Sequence, residues 1–183
     1  MAEHPPPQAP DTPGARHSGL CVAGLGQPFR GDDGVGPLVV AALAKRLPDA
    51  AQCLIHVTDP IDLVEHWRGC RLAIVVDATQ GAGKPGTITH FDSAAGPVPT
   101  APEAFTSTHG FGLAQAIAMA RALGSLPGRL LVFGVEGRAF GPGAELSPAV
   151  RRALTEATRR IEGVIRAHRE GQENKAREKT DHA

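Results

Sequence analysis

Residues 21–36 read CVAGLGQPFRGDDGVG, an apolar run that leads into a glycine-rich loop with two adjacent carboxylates. Five glycines in this stretch let the backbone take positive φ and pass close to a ligand. The carboxylates, Asp32 and Asp33, come just before Val35, where the apolar spacing of a helix begins. The stretch therefore predicts a strand, a loop that presents acidic side chains at the end of that strand, and a helix.

The rest of the chain alternates between strand and helix patterns. Apolar runs predict strands over Leu20–Leu25, Cys53–Val57, Leu72–Ala78 and Leu130–Val135, and an edge strand over Gly86–Phe91. Helical periodicity predicts helices over Val35–Leu47, Ile61–Arg68, Leu113–Leu123 and Ser147–His168, the last with Ser147 as N-cap and Pro148 after it. This alternation predicts an α/β domain with a mainly parallel sheet covered by helices on both faces.

Length and composition predict one folded domain between two disordered ends. The chain has 183 residues, 42% of them apolar, and a formal net charge of zero. Residues 1–18 contain five prolines and no apolar stretch after a basic segment, so we expect a disordered segment that is not a secretory signal. Residues 169–183 are charged and almost free of apolar side chains, so we expect a disordered tail. The domain is therefore expected over 19–168.

Composition also argues against several classes of protein. The balanced charge lacks the clustered basic face that binds nucleic acid, and no apolar run approaches the roughly 20 residues of a membrane span. The three cysteines, Cys21, Cys53 and Cys70, are odd in number and have no C-x-x-C spacing. We expect them to be reduced, buried thiols of a cytoplasmic protein rather than disulfides or zinc ligands.

Three loops carry side chains suited to metal or acid–base chemistry. Asp32 and Asp33 follow the first strand, Asp77 closes an apolar run, and His109 precedes the third helix. Ligands collect beyond the carboxyl ends of parallel strands, so such loops can meet. Two carboxylates and an imidazole suit zinc, nickel, cobalt or iron better than calcium, and three protein ligands leave positions open for water or substrate.

Each of these residues also has a structural explanation. Asp33 can be the N-cap of the helix that follows it, and Asp77 can cap the turn after its strand. His109 can make a local backbone hydrogen bond beside a helix start. Glu136, after the last strand, can reach the same edge of the sheet or simply orient a loop. The spacing alone leaves these alternatives open.

Other catalytic and nucleotide-binding motifs are absent. Phe29 stands where the dinucleotide fingerprint needs its third glycine, and no Gly-Lys-Ser/Thr follows the loop. There is no G-x-S-x-G nucleophile motif and no H-E-x-x-H zinc motif. A common hydrolase or nucleotide-binding site is therefore not indicated by the sequence.

Six segments, taken in order, resemble the hydrogenase maturation endopeptidases, which trim the large subunit of nickel–iron hydrogenases. They are Gly24–Pro28, Gly31–Gly36, Val75–Ala78, Ser107–Leu113, Gly134–Gly137 and Leu146–Val150. The resemblance covers nearly all of residues 20–165. It implies a three-layer α/β sandwich in which a mixed, mainly parallel five-stranded sheet lies between helices.

The resemblance also implies a site and an activity. Asp33, Asp77 and His109 match the family's metal-reading residues, and we expect them to be both the metal ligands and the catalytic residues. Asp32 is expected to orient its neighbour Asp33. Several members carry glutamate at the position of Asp33, one methylene longer. The implied activity is that of an aspartic-type or metal-dependent endopeptidase.

The implied substrate is the hydrogenase large-subunit precursor, whose C-terminal extension is removed after nickel insertion. Nickel is carried by the substrate and serves for recognition, and zinc or cadmium can take its place. No nucleic acid and no membrane span are expected, and we expect a cytoplasmic monomer. Two alternatives stay open at this point. One is a non-catalytic chaperone that binds nickel or the precursor, and the other is an unrelated hydrolase or nucleotide-binding domain.

Overall fold

The apolar runs form five strands, and the segments between them form four helices, in a computed structural model that describes residues 19–81, 83–96 and 110–180. The strands are β1 (Leu20–Leu25), β2 (Gln52–Val57), β3 (Leu72–Thr79), β4 (Ile88–Asp92) and β5 (Leu130–Glu136). The helices are α1 (Val35–Arg46), α2 (Pro60–Trp67), α3 (Gly110–Ala122) and α4 (Pro148–Thr180), with a 3₁₀ turn at Gly31–Gly34 before α1.

The strands make one mixed sheet in the order β2-β1-β3-β5-β4. The first four strands in that order are parallel, and β4 pairs antiparallel with β5 at the edge. The predicted α/β class and the mainly parallel, mixed sheet are confirmed. β4 starts two residues later than predicted because Gly86 forms a turn with φ of 85°.

Helices cover both faces of the sheet, as predicted. Side chains of β3 alternate, so Leu72, Ile74 and Val76 face one way and Ala73 and Val75 face the other. The first set packs with α1 and α4, and the second packs with α2 and α3. The result is a three-layer sandwich with one apolar core on each side of the sheet.

The last helix is longer than the sequence pattern indicates. Ser147 accepts a hydrogen bond from the backbone N–H of Val150 at 3.4 Å, and Pro148 opens α4, as predicted. The prediction of a disordered tail is wrong for residues 169–180, because α4 continues through Thr180. Residues beyond 168 are mainly Glu, Lys, Arg, Gln and Ala, which favour helix even without an apolar face. Residues 1–18 and 181–183 lie outside the described part.

All three cysteines are free thiols. Cys21 and Cys70 are buried, whereas Cys53 is only half-buried because β2 is an edge strand. Within the described residues, no helix is long and apolar enough to cross a bilayer.

Candidate functional site

The candidate site lies at the carboxyl edge of the sheet, where the parallel strands end. β1 and β3 are neighbours there, with Gly24 opposite Val76 in the ladder. α1 begins directly over this point, because a Cβ atom on Gly36 would collide with the carbonyl oxygens of Leu25 and Val76. This close approach brings the loop after β1 against the residue that precedes Asp77.

Asp33 lies in the 3₁₀ turn Gly31–Gly34, called the Asp33 turn below, and is 4% exposed. Its Oδ2 accepts a hydrogen bond from the backbone N–H of Gln27 at 3.0 Å. The backbone passes so close at Gly26, with φ of 110°, that a Cβ there would strike the carbonyl oxygen of Asp33. The N-cap of α1 is Gly34, so the interpretation of Asp33 as that N-cap is wrong.

Asp77 lies within β3 and is 1% exposed. The capping interpretation requires Asp77 to be the last residue of its strand. The strand instead continues to Thr79, so Asp77 does not cap the turn after it. Its Oδ1 accepts a hydrogen bond from the N–H of Ala78 at 2.8 Å. Alternation along β3 places Asp77 on the same side as Ala73 and Val75, toward α2 and α3. A buried carboxylate in a strand is costly and is typical of a functional site.

His109, the third predicted ligand, lies outside the described residues. The helix that follows it, α3, begins at Gly110. A Cβ on Gly112 would approach Pro60, the first residue of α2, to 3.9 Å, so α3 begins beside the start of α2, near the carboxyl end of β2. Among the described residues no group of three or more His, Cys, Asp or Glu side chains could hold a metal ion. The three-ligand site therefore stays a prediction.

Asp32 is fully buried and faces a different part of the chain. Its Oδ2 accepts hydrogen bonds from the N–H groups of Arg138 and Ala139, at 2.9 and 3.1 Å. Its Oδ1 accepts one from the N–H of Ser147 at 2.7 Å. Asp32 thus ties the Asp33 turn to residues 137–147, called the β5–α4 connection below. Its expected effect on Asp33 stays a prediction.

Glu136 at the end of β5 orients a loop, the second of the two roles considered from the sequence. Its Oε2 accepts a hydrogen bond from the hydroxyl of Thr79 at 2.7 Å, and its Oε1 accepts one from the N–H of Gly81 at 2.6 Å. The side chain is 8% exposed. Glu136 therefore holds the segment that leaves β3 two residues after Asp77.

The β5–α4 connection is the part of the site that the sequence analysis did not include. A Cβ on Gly137 would lie 2.8 Å from the Cβ of Asp32 and 2.6 Å from the ring of Phe140. The signal for this contact was the glycine directly after Glu136, because a residue without a Cβ is needed where two chain segments pack this closely.

A shallow groove opens beside the Asp33 turn, with a volume of about 400 Å³. Its apolar lining includes Pro28, Phe29, Leu38 and Leu146. Phe29 is 83% exposed although its carbonyl oxygen accepts a hydrogen bond from the N–H of Gly143 at 2.8 Å. The groove offers open apolar surface beside the Asp33 turn.

The thiols are not part of this edge. Cys21 lies near the start of β1, and Cys70 precedes β3, at the opposite edge of the sheet. A hydrogen bond with Cys70, together with burial, raises the pKa of Cys21 well above its ordinary value. A nucleophilic thiol needs a lowered pKa, so Cys21 is poorly suited to nucleophilic chemistry.

Comparison with known proteins agrees with this fold. The family model for the hydrogenase maturation protease HycI matches residues 37–164. The hydrogenase maturating endopeptidase HybD from Escherichia coli superposes with a TM-score of 0.69 at 24% identity, covering 81% of this chain and 93% of that one. The [NiFe] hydrogenase maturation protease HycI from Thermococcus kodakarensis superposes with a TM-score of 0.64 at 24% identity, covering 83% of this chain and 95% of that one.

A hydrogenase 2 maturation peptidase from a Thaumarchaeota archaeon gives a TM-score of 0.57 at 27% identity, covering 80% of this chain and 97% of that one. No curated protein sequence matches significantly. The family model spans well over half of the chain and includes Asp77. These findings set aside the nucleotide-binding alternative. The chain belongs to the hydrogenase maturation protease family, and it is a peptidase, a hydrolase of peptide bonds.

Proposed function

We propose that this chain is the endopeptidase that removes the C-terminal extension of a nickel–iron hydrogenase large-subunit precursor after nickel insertion. The observation that carries the proposal is the pair of nearly fully buried aspartates, Asp33 and Asp77, at the carboxyl edge of adjacent strands. Family membership supplies the reaction class, and the open apolar groove beside the Asp33 turn gives room for a peptide.

Nickel in the precursor is the recognition element in this proposal. Asp33, Asp77 and His109 contact an ion that the precursor already holds, and they have the oxygen and nitrogen donors that suit nickel. The two carboxylates fit this role because both are held in place by backbone N–H groups, from Gln27 and Ala78. Zinc or cadmium would bind the same donors. A bound divalent ion polarises a carbonyl or activates water, which makes the cleavage metal-dependent.

The proposed setting is the cytoplasm, with the precursor as partner and this protein as a monomer when free. Three free thiols in a chain of this size suit a reducing compartment.

The test is processing of nickel-loaded precursor by variants of the site. Asp77→Asn and His109→Ala should abolish loss of the C-terminal peptide, because each removes a ligand. Asp49→Asn makes the same charge change as Asp77→Asn at an exposed position after α1 and should process normally. The readout is the intact mass of the precursor.

Full cleavage by both site variants would refute the assignment of the ligands. Binding of the precursor by the wild-type protein without any cleavage would instead identify a chaperone. Failure to bind or cleave any nickel-loaded precursor would refute the proposed substrate.

A further inference from the structure

We propose that Asp32 and Glu136 are positioning residues that set the placement of Asp33 relative to Asp77 through the β5–α4 connection. The inference rests on the proposed function for its catalytic consequence, but its structural part stands by itself. Both oxygens of each carboxylate accept hydrogen bonds from the protein, so both side chains are committed to contacts within the chain.

The first half of the path joins the Asp33 turn to the β5–α4 connection. Besides the three N–H groups that donate to the carboxylate of Asp32, the backbone N–H of Asp32 donates to the carbonyl of Ala139 at 2.7 Å. The N–H of Gly31 donates to the carbonyl of Ala144 at 3.0 Å. Hydrogen bonds to an ionised group are shorter and stronger than neutral ones, so the Asp32 carboxylate is the main clamp.

The second half of the path joins the same connection to β3. Glu136 is the last residue of β5 and lies opposite Thr79, two residues after Asp77. Its carboxylate holds the Thr79 hydroxyl and the Gly81 N–H, and the N–H of Gly137 donates to the carbonyl of Thr79 at 2.9 Å. The end of β3 is therefore fixed to the start of the β5–α4 connection.

Together the two carboxylates close a ring of contacts. One side of the ring is the β1·β3 ladder, which places Gly24 opposite Val76. The other side runs from Asp32 through the β5–α4 connection to Glu136. The ladder and the packing of Gly36 attach the loop after β1 at its two ends, and the ring adds a further attachment to β3 through Asp32 in the middle of that loop. A shift of about 1 Å in such a site is enough to reduce turnover strongly.

The acceptor oxygens of each carboxylate are needed for this role. Both oxygens of Asp32 accept backbone N–H groups, so an amide in its place would point N–H donors at N–H donors. Glu136 also uses both oxygens, but the Thr79 hydroxyl can accept as well as donate and would tolerate an amide, so the variant must remove both acceptors. Asp32→Asn and Glu136→Met therefore keep the approximate size of the side chain and break the clamp.

The structural test uses the amide signals of the full-length protein in solution. The N–H groups of Gln27 and Ala78 donate to the carboxylates of Asp33 and Asp77, so their NMR shifts and exchange rates report where those carboxylates lie. Asp32→Asn should shift the Gln27 amide and speed its exchange, and Glu136→Met should do the same for Ala78. Asp49→Asn, the exposed control, should leave both signals at their wild-type positions.

The catalytic test measures kcat and KM for nickel-loaded precursor at a temperature below the thermal midpoint of each variant. Both variants should lower kcat/KM by about 10-fold or more, as is usual for residues that orient metal ligands. Wild-type signals for Gln27 and Ala78 in both variants would overturn the proposal, with or without cleavage. So would shifted signals with unchanged kcat/KM. Shifted signals together with a wild-type protein that cleaves nothing would refute the proposed function and leave the positioning intact.

Discussion

The carboxylate of Asp33 accepts a hydrogen bond from the N–H of Gln27 in the same loop, and this contact determines how a substitution of Asp33 should affect stability. Asp33→Asn should leave the thermal midpoint close to wild type, because the amide oxygen can still accept the N–H of Gln27 and Gly34 remains the N-cap of α1. Cleavage of the precursor should be lost, because a neutral amide is a poor metal ligand. Thermal unfolding and intact mass measure the two effects. Normal cleavage by this variant would remove Asp33 from the site.

The sequence predicted the positions of Asp33 and Asp77 because both follow or end apolar runs of a parallel sheet. It could not predict the partners of Asp32. The donors are backbone N–H groups 106 to 115 residues further along the chain, and every residue type except proline has such a group. Side-chain identity therefore carries no signal for this contact.

Close backbone contact between α1 and the ends of β1 and β3 is an element-level constraint. Gly36→Ala should destabilise the protein by about 2 kcal/mol or more, because its Cβ has no space against the carbonyls of Leu25 and Val76. Gly163→Ala is the matched control in α4, where a Cβ meets nothing within 4 Å. It should stabilise by about 0.5–1 kcal/mol, the usual gain for alanine over glycine in a helix.

Urea unfolding of the two glycine variants compares these free energies directly. Equal stability of Gly36→Ala and wild type would mean that α1 does not approach the strands as described.

The edge strand β4 is fastened by an ion pair with a predictable pH dependence. Arg129 donates to both oxygens of Asp92, at 3.0 and 2.6 Å, and these hydrogen bonds lower the pKa of Asp92. Because the pKa of Asp92 is lower in the folded protein than its unfolded value of about 3.9, the ion pair stabilises the folded state at pH values above that unfolded pKa. This contribution is lost as the pH falls through the folded-state pKa. The pair is partly exposed, so the contribution should be below about 1 kcal/mol.

Asp92→Asn should therefore be less stable than wild type by a constant amount between about pH 5 and 8, and the difference should vanish at more acidic pH. Urea unfolding across this range measures it. A difference that grows on acidification would contradict the assigned ion pair.

The end of α4 is helical but contributes little to the core. The core residues of this helix end at Ile165, and beyond residue 168 the described side chains other than Gln172 are exposed. Deleting residues 169–183 should shift the thermal midpoint by less than about 3 °C, although circular dichroism should show less helix. A large loss of stability would show that this segment packs on the domain. Apolar periodicity could not reveal this helix end, because it has no buried face.

At the scale of the whole molecule, the fold follows from apolar patterning and the site follows from topology. Near-continuous apolar runs predicted buried parallel strands, and the helical spacing between them predicted two covering layers. The order β2-β1-β3-β5-β4 makes β1 and β3 neighbours, so loops from distant parts of the sequence meet at one edge. The strand register that sets these contacts depends on how the whole sheet packs, so no local sequence pattern predicts it.

The central claim is that nickel in the precursor licenses the cleavage. The direct measurement is the intact mass of nickel-loaded and nickel-free large-subunit precursor, each before and after incubation with this protein. We expect a C-terminal peptide to be lost only from the nickel-loaded sample, because the proposed role of the aspartates and His109 is to contact an ion that the precursor holds. Equal cleavage of both samples, or cleavage of neither, would contradict the account.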